Sequence, residues 1–328
     1  MNTETTTTPV EAASQPAEYS IRFHGKGSEY FGIVIVNLLL TIITLGFYYP
    51  WSKARKLQYM YSSTEFNNSR FVFSGTGGEM FKGFIKAVLM FAGLYGLLIA
   101  LVLMHMPVIG LLVFYAGILA IIPLAIHGSY KYRMSRTSWR GIRLGYRGDR
   151  TELFRLFFSG FLLTLVSFGI YGAWFSMHLR NYVLNKVRFG TLQFRYFGSG
   201  GDYFVLNLKG YFLTIITLGI YFAWWQRDLY NYYINNLSLE NEKGEAISLK
   251  STATGGNFFV LGLTNILILI FTLGLGYAWV VTRTLRFVFS KIELSGNVDI
   301  ETIYQSEAAY TDATGEDVAD MLDFGFVI

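Results

Sequence analysis

The chain has 328 residues, of which 52% are hydrophobic and only 15% charged, against roughly a quarter charged in soluble domains. That deficit excludes an ordinary water-soluble domain of this size and points to a membrane protein. The complete lack of cysteine excludes disulfides, thiolate metal sites and a cysteine nucleophile, and the net charge of +5 suits anionic lipid better than nucleic acid.

In chain order, residues 1–19 are rich in Thr, Ala, Pro and Glu, with neither a basic start nor an apolar stretch, and read as a tail rather than a signal peptide. Short segments follow in which polar and apolar residues alternate before a glycine-rich turn: SIRFHGKGSEYF from Ser20, RFVFSGTGGEMF from Arg70, RGIRLGYRGDRTELF from Arg140 and LQFRYFGSGGDYF from Leu192. Period-two alternation predicts strands, and the acid ahead of each apolar run suits a helix start, where free backbone N–H groups favour negative charge. Strand edges cannot lie in lipid, so these strands are expected to pair with one another outside the hydrocarbon.

Uncharged runs cover Tyr30 to Pro50, Ala87 to Ile126, Leu156 to Met177, Gly210 to Gln226 and Ser251 to Thr282. With about 20 apolar residues per span, the run from Ala87 to Ile126 holds two passes turning at His105 to Pro107, and the chain reads as about six spans. The fifth has to include Lys209. The predicted fold class is mainly α, a polytopic helical membrane protein with internal repeats and short β-strand segments between helices. Beyond Ile303, residues 304–328 form a second, acidic tail.

One phrase occurs four times: TLGFYYPW ending at Trp51, SFGIYGAW ending at Trp174, TLGIYFAW ending at Trp224 and TLGLGYAW ending at Trp279. Counting back seventeen residues from Gly46, Gly169, Gly219 and Gly274 lands on Glu29, Glu152, Asp202 and Asn257. Such self-similarity governs architecture. The repeating unit reads as strand, glycine turn, membrane helix and then a helix too polar to span. Units near 20–77, 140–200, 201–254 and 255–300, with a two-helix insertion near 84–127, compose a membrane domain over 20–303. The Thr and Ser residues three apart within units, such as Thr41 with Thr44 and Thr214 with Thr217, share a helix face and predict close helix packing. The four Trp residues are expected at the membrane border.

Charge suggests a topology. With six spans, the basic segments from Ser52 to Gly83 and from Gly128 to Thr151 fall on the cytoplasmic side, which places both chain ends outside and leaves Arg180, Lys186, Arg188 and Arg195 opposite to the rule. Every unit carries its basic residues just after its Trp, a pattern that alternating directions cannot satisfy. Either the repeats are inverted, as in transporters, or some units enter and return on the same side.

Candidate chemistry is sparse. The four histidines make no ligand pair at helical spacing, so no metal, cofactor or catalytic residue is expected and the chain reads as a non-enzyme. His178 and His127 read as interfacial polar positions. The turns Gly75 to Gly78 and Gly198 to Gly201 lack the Lys and Ser/Thr of a P-loop and read as tight strand-to-helix turns. Lys209, Asn37 and Asn265 are the candidate intramembrane polar site, since charge inside a membrane is costly and carries functional suspicion.

The repeated TLG phrase with its aromatic, Pro/Ala-Trp ending and following basic residues, together with FSGTGG and FGSGG, resembles the YjgN family of bacterial inner-membrane proteins, a domain family of unknown function. The resemblance covers about Ser20 to Ile303 and implies a multi-pass inner-membrane location, with no activity to carry over. Two functional classes follow: a scaffold binding membrane lipids through anionic headgroups, or binding other membrane proteins or itself, and a small-solute transporter or channel built from the repeats. No nucleic-acid partner is expected.

Overall fold

The computed structural model describes residues 17–306. Eleven short strands alternate with ten helices: β1 (Ala17–Tyr19), β2 (Ile21–Phe23), α1 (Gly27–Ile43), α2 (Tyr49–Ser62), β3 (Thr64–Phe66), β4 (Ser69–Phe73), α3 (Gly77–Leu103), α4 (Pro107–Arg136), β5 (Thr137–Trp139), β6 (Ile142–Tyr146), α5 (Arg150–Val166), α6 (Gly172–Asn185), β7 (Val187–Phe189), β8 (Leu192–Tyr196), α7 (Gly200–Ile216), α8 (Phe222–Asn235), β9 (Leu237–Glu240), β10 (Ala246–Ser251), α9 (Gly255–Phe271), α10 (Tyr277–Ser290) and β11 (Ile292–Gly296). The predicted strands are present, and each runs into a helix as the alternating segments implied. The tail predicted over 1–19 ends in a strand, because Ala17 to Tyr19 pairs with Leu294 to Gly296. Most of the acidic tail lies outside the described residues.

All strands join one antiparallel sheet in the order β1-β11-β10-β9-β8-β7-β6-β5-β4-β3-β2. Its two end strands are separated in the chain by Ser20 alone, so the sheet curls into a near-barrel. The pairs Phe23 with Thr64, Phe73 with Thr137, Tyr146 with Val187, Tyr196 with Leu237 and Ser251 with Ile292 each flank a pair of helices. All five helical hairpins therefore leave from one rim. The opposite rim carries tight turns, with Asn67 and Asn68 at φ 43 and 62° and Arg140 and Gly141 at 47 and 81°, the conformation that matches strand twist in two-residue hairpins.

Alternation fills the barrel. Leu144, Ile247 and Leu294 point inward, while Arg143, Ser248 and Glu293 between them are exposed, as period two requires. Phe189 meets Phe66 and Trp139 edge to face at 6.3 and 5.5 Å, Phe66 and Trp139 tilt against each other at 5.5 Å, and the Trp139 indole N–H donates to the Phe66 carbonyl at 2.9 Å. After β11 the chain crosses the turn rim: Val298, Ile300 and Ile303 enter the same core, Arg140 holds Glu301 at 2.7 Å, and the Arg143 backbone N–H donates to Gln305 at 2.6 Å. Tyr19 donates to the Val298 carbonyl at 2.5 Å, and burial pushes its phenol up.

Two predictions about the helices need correction. Of the six predicted spans, only α3 and α4, with 27 and 30 residues, are long and apolar enough to cross a membrane. Helices α1, α5, α7 and α9 have 17 residues each and are followed by partners of 14. Hydropathy measured the apolar runs correctly, but the polar helix after each Trp is the return leg of a hairpin. The predicted topology, with chain ends opposite the basic segment from Ser52 to Gly83, fails for the same reason, since Ile21 to Phe23 pairs with Thr64 to Phe66. In every unit the two helices leave the sheet rim and return to it, the arrangement that units entering and returning on one side require. The segment read as a two-helix insertion is the α3–α4 hairpin, which sits between β4 and β5 as the others sit between their strands.

Candidate membrane-contact site

The repeated phrase builds the hairpin tip. In the first unit Gly46 N–H donates to the Thr41 carbonyl at 2.7 Å and Leu45 N–H to Ile42 at 3.0 Å, the two bonds that close a Schellman motif. The same pair recurs at Gly169 and Phe168, Gly219 and Leu218, and Gly274 and Leu273. Each tip has two residues at positive φ, Leu45 at 50° and Gly46 at 94° in the first. Glycine accepts this freely, whereas the preceding side chain bears a strain of order 1 kcal/mol. The Thr or Ser opening the phrase ties the tip together: Thr44 donates to Leu40 and accepts from Tyr48 N–H at 2.9 Å, and Ser167, Thr217 and Thr272 accept from Tyr171, Tyr221 and Gly276. Two further members of the hydroxyl stripe bond within their own helix, Thr41 donating to Asn37 and Thr164 to Gly160, whereas the Thr214 hydroxyl is buried without a hydrogen bond.

What the tip presents is apolar. Leu45, Phe168, Leu218 and Leu273 are 90, 97, 94 and 92% exposed, flanked by exposed Ile43, Val166, Ile216 and Phe271. No Asp, Glu, Lys or Arg occurs in 44–48, 104–106, 167–171, 217–221 or 272–276. Four protruding apolar tips on strained backbone are a poor surface for water and a good one for acyl chains.

The four Trp residues lie in seams between units. A Cβ on Gly77, Gly200, Gly255 or Gly27 would collide with the indole of Trp51, Trp174, Trp224 or Trp279 respectively. Each Trp therefore seats on the first helical glycine of the next unit, and Trp279 closes the ring onto the first. Beyond it the return helix uses its polarity in fixed places. Twelve residues after the motif glycine, Gln58, Asn181, Asn231 and Arg286 donate to the turn carbonyls of Gly75, Gly198, Ala253 and Gly25 at 2.8 to 3.4 Å. At the next position Tyr59, Tyr182 and Tyr232 donate to their own unit's helix entry at Lys26, Asp149 and Ser199. These positions were missed in the sequence, although the spacing of Gln58, Asn181 and Asn231 from the phrase was available to find them.

The helix entries are capped from within. Thr76 with Glu79 and Thr254 with Asn257 form capping boxes, and Asp149 and Ser199 accept from Glu152 and Asp202 N–H. The first glycine of each turn packs on the aromatic ring ending the strand before it, Gly75 on Phe73 and Gly198 on Tyr196. Burial pushes the Tyr196 phenol up.

The predicted polar site is not one site. Asn37 and Asn265 both stand nine residues before their motif glycine, where the other units have Gly160 and Gly210. The glycines are filled by Phe175 and Trp225 of the return helix. Asn37 instead donates to Ser52 at 3.3 Å and Asn265 to Thr284 at 3.0 Å, so both close their hairpins, each leaving a buried amide oxygen without a hydrogen bond. Lys209 lies elsewhere, exposed in an open groove of about 470 Å³ between α7 and α8. His178 is exposed beside the Tyr171 hydroxyl at 3.5 Å, and His127 is buried against the Tyr146 ring.

The family model described as "Bacterial protein of unknown function (DUF898)" matches residues 18–196 and 225–321. The chain belongs to this family. Its relatives include proteins named inner membrane protein YjgN: that of Escherichia coli O157:H7 is 37% identical over 128 residues, 39% of this chain and 31% of the relative, and that of Salmonella typhimurium strain LT2 is 35% identical over 129 residues, with the same coverage. The match thus spans less than a third of those relatives' length. No solved structure matches.

Proposed function

We propose that the protein is a lipid-binding scaffold of the bacterial inner membrane that holds its curled sheet on the cytoplasmic face and sinks four short hairpins into the adjoining leaflet. The observation that carries this reading is the one-sided charge pattern. All five hairpins leave one rim, their tips are uncharged, and most Lys and Arg residues lie toward the sheet, the side that basic residues keep cytoplasmic, with Lys53, Lys209 and Arg227 set nearer a tip. Length then separates two kinds of hairpin. Helices α3 and α4 are about 40 and 45 Å long, enough to cross a hydrocarbon core of about 30 Å, whereas a 17-residue helix reaches about 25 Å, part of it among the charges near the rim. One hairpin spans; four end among acyl chains. Solute transport, the other class that repeats allow, draws no specific support, because Asn37, Asn265 and Lys209 occupy separate hairpins and the groove at Lys209 is open.

The cysteine-free chain makes a direct test. Single variants His105→Cys, Leu45→Cys and Ser295→Cys are labelled with a membrane-impermeant maleimide on spheroplasts. We expect His105→Cys to react from outside, Ser295→Cys only after lysis, and Leu45→Cys to resist until detergent is added. Labelling of Leu45→Cys as fast as His105→Cys would mean that the short hairpins cross, and reaction of Ser295→Cys on intact spheroplasts would reverse the orientation.

A further inference from the structure

The α7–α8 hairpin differs from its siblings in charge. Ten residues before the motif glycine the other units have Val36, Ser159 and Thr264, and this one has Lys209; nine after it they have Arg55, His178 and Arg283, and this one has Asp228. The groove between the two helices, about 470 Å³, takes Asp202, Val205, Leu206 and Lys209 from α7 and Asp228 with Asn231 and Tyr232 from α8. Its neutral polar groups are already engaged: Tyr232 donates to the Ser199 carbonyl at 2.6 Å and Asn231 accepts from the Ser251 hydroxyl at 2.6 Å. Asp228 is paired with Arg227 at 3.1 Å. Among the described residues Lys209 and Asp202 stand in no ion pair.

The order of groups along α7 matters. Asp202 sits in the first turn, at the sheet rim. Lys209 follows on the same face two turns deeper, about 10 Å along the axis. Phe212 and Ile216 continue that stripe toward the tip, 55 and 72% exposed. Acid, cation and apolar surface thus succeed one another from water to bilayer interior, which is the order of ammonium, phosphate and acyl chain in a zwitterionic aminophospholipid.

We propose that this groove binds such a lipid in the cytoplasmic leaflet, its phosphate on the Lys209 ammonium, its primary ammonium on the Asp202 carboxylate and its chains along Phe212 and Ile216. The site rests on the lipid-binding reading above and narrows it to one headgroup. A quaternary choline cannot donate a hydrogen bond to Asp202, and a glycerol headgroup has no cation for it, so both bind less well.

The test uses the full chain purified with an equimolar mixture of phosphatidylethanolamine, phosphatidylglycerol and phosphatidylcholine, with retained lipid counted by native mass spectrometry. Wild type is expected to enrich phosphatidylethanolamine by about tenfold, the worth of one charge-assisted hydrogen bond. Lys209→Gln should lose tight retention, Lys209→Arg should keep it, and Asp202→Asn should keep lipid while losing the preference. Soluble phosphoethanolamine should not displace the lipid, and displacement at equal concentration would reassign the groove to a free phosphate ester. Equal retention of all three headgroups by wild type, or a preference unchanged in both neutral variants, overturns the site but leaves lipid binding standing. Failure to retain any lipid overturns the broader reading.

Discussion

The α3–α4 hairpin and its four shorter siblings stand on the same strands, yet they end differently. The short hairpins turn on a Thr-Leu-Gly or Ser-Phe-Gly tip with an apolar side chain held at positive φ and at least nine-tenths exposed. The long one turns through Met104, His105 and Met106, where a polar ring replaces the apolar point, and Pro107 opens the return helix. A tip that ends in hydrocarbon has to be apolar and internally hydrogen-bonded; the long tip keeps the second property, with Met106 N–H donating to Leu101 and His105 N–H to Val102, and departs only from the first. The comparison teaches that the frame fixes where helices start, while length and tip chemistry vary from hairpin to hairpin.

The strongest way to break that contrast is to charge both tips. Leu218→Asp should cost about 3 kcal/mol if the tip lies in hydrocarbon, seen as a fall in membrane-inserted protein on fractionation, while His105→Asp should be tolerated. Equal penalties would erase the distinction in depth. A smaller effect is expected in the seams that hold the hairpins together. Gly200→Val pushes into the Trp174 indole and should destabilise by about 1 to 3 kcal/mol, read as a lowered melting temperature in detergent, whereas Gly201→Ala meets only Ser199 Oγ at 3.7 Å and should change little. The smallest expected effect sharpens the reading of the predicted polar site. Asn265→Ala removes one hydrogen bond to Thr284 and should cost about 1 kcal/mol without altering lipid retention; a loss of lipid retention at unchanged melting temperature would restore Asn265 to a binding role.

Strands β2, β4, β6 and β8 were legible because alternation and a glycine turn mark them. Their partners β3, β5 and β7 were not singled out, being three residues each with no glycine turn into a helix after them, although Asn67-Asn68 and Arg140-Gly141 are turn signals. The fifth entry, at β10 and α9, escaped because Ser251 and Ala253 replace the aromatic and glycine found at Tyr196 and Gly198. Lys209 stood out from hydropathy alone, since a charge in an apolar run is visible at sight. Its neighbours Asp202, Asp228 and Tyr232 were not, because the groove is made by two antiparallel helices whose pairing no local pattern announces.

By itself the amino-acid sequence determined that this chain is too apolar and too poor in charge for an ordinary water-soluble domain, that it repeats, where its helices begin, and that the TLG glycines and the Trp residues are points of constraint. Composition, periodicity and backbone chemistry act locally, so they can be read locally. The tertiary structure alone decided that each apolar helix comes back beside a polar one and that eleven strands curl into a near-barrel on one side. It also decided that the Trp residues seal one unit to the next. The reason is direction: an apolar run records how much hydrocarbon a helix meets, whereas the side to which the chain returns depends on which strands find each other, and that choice is made by hydrogen bonds between residues up to 279 positions apart.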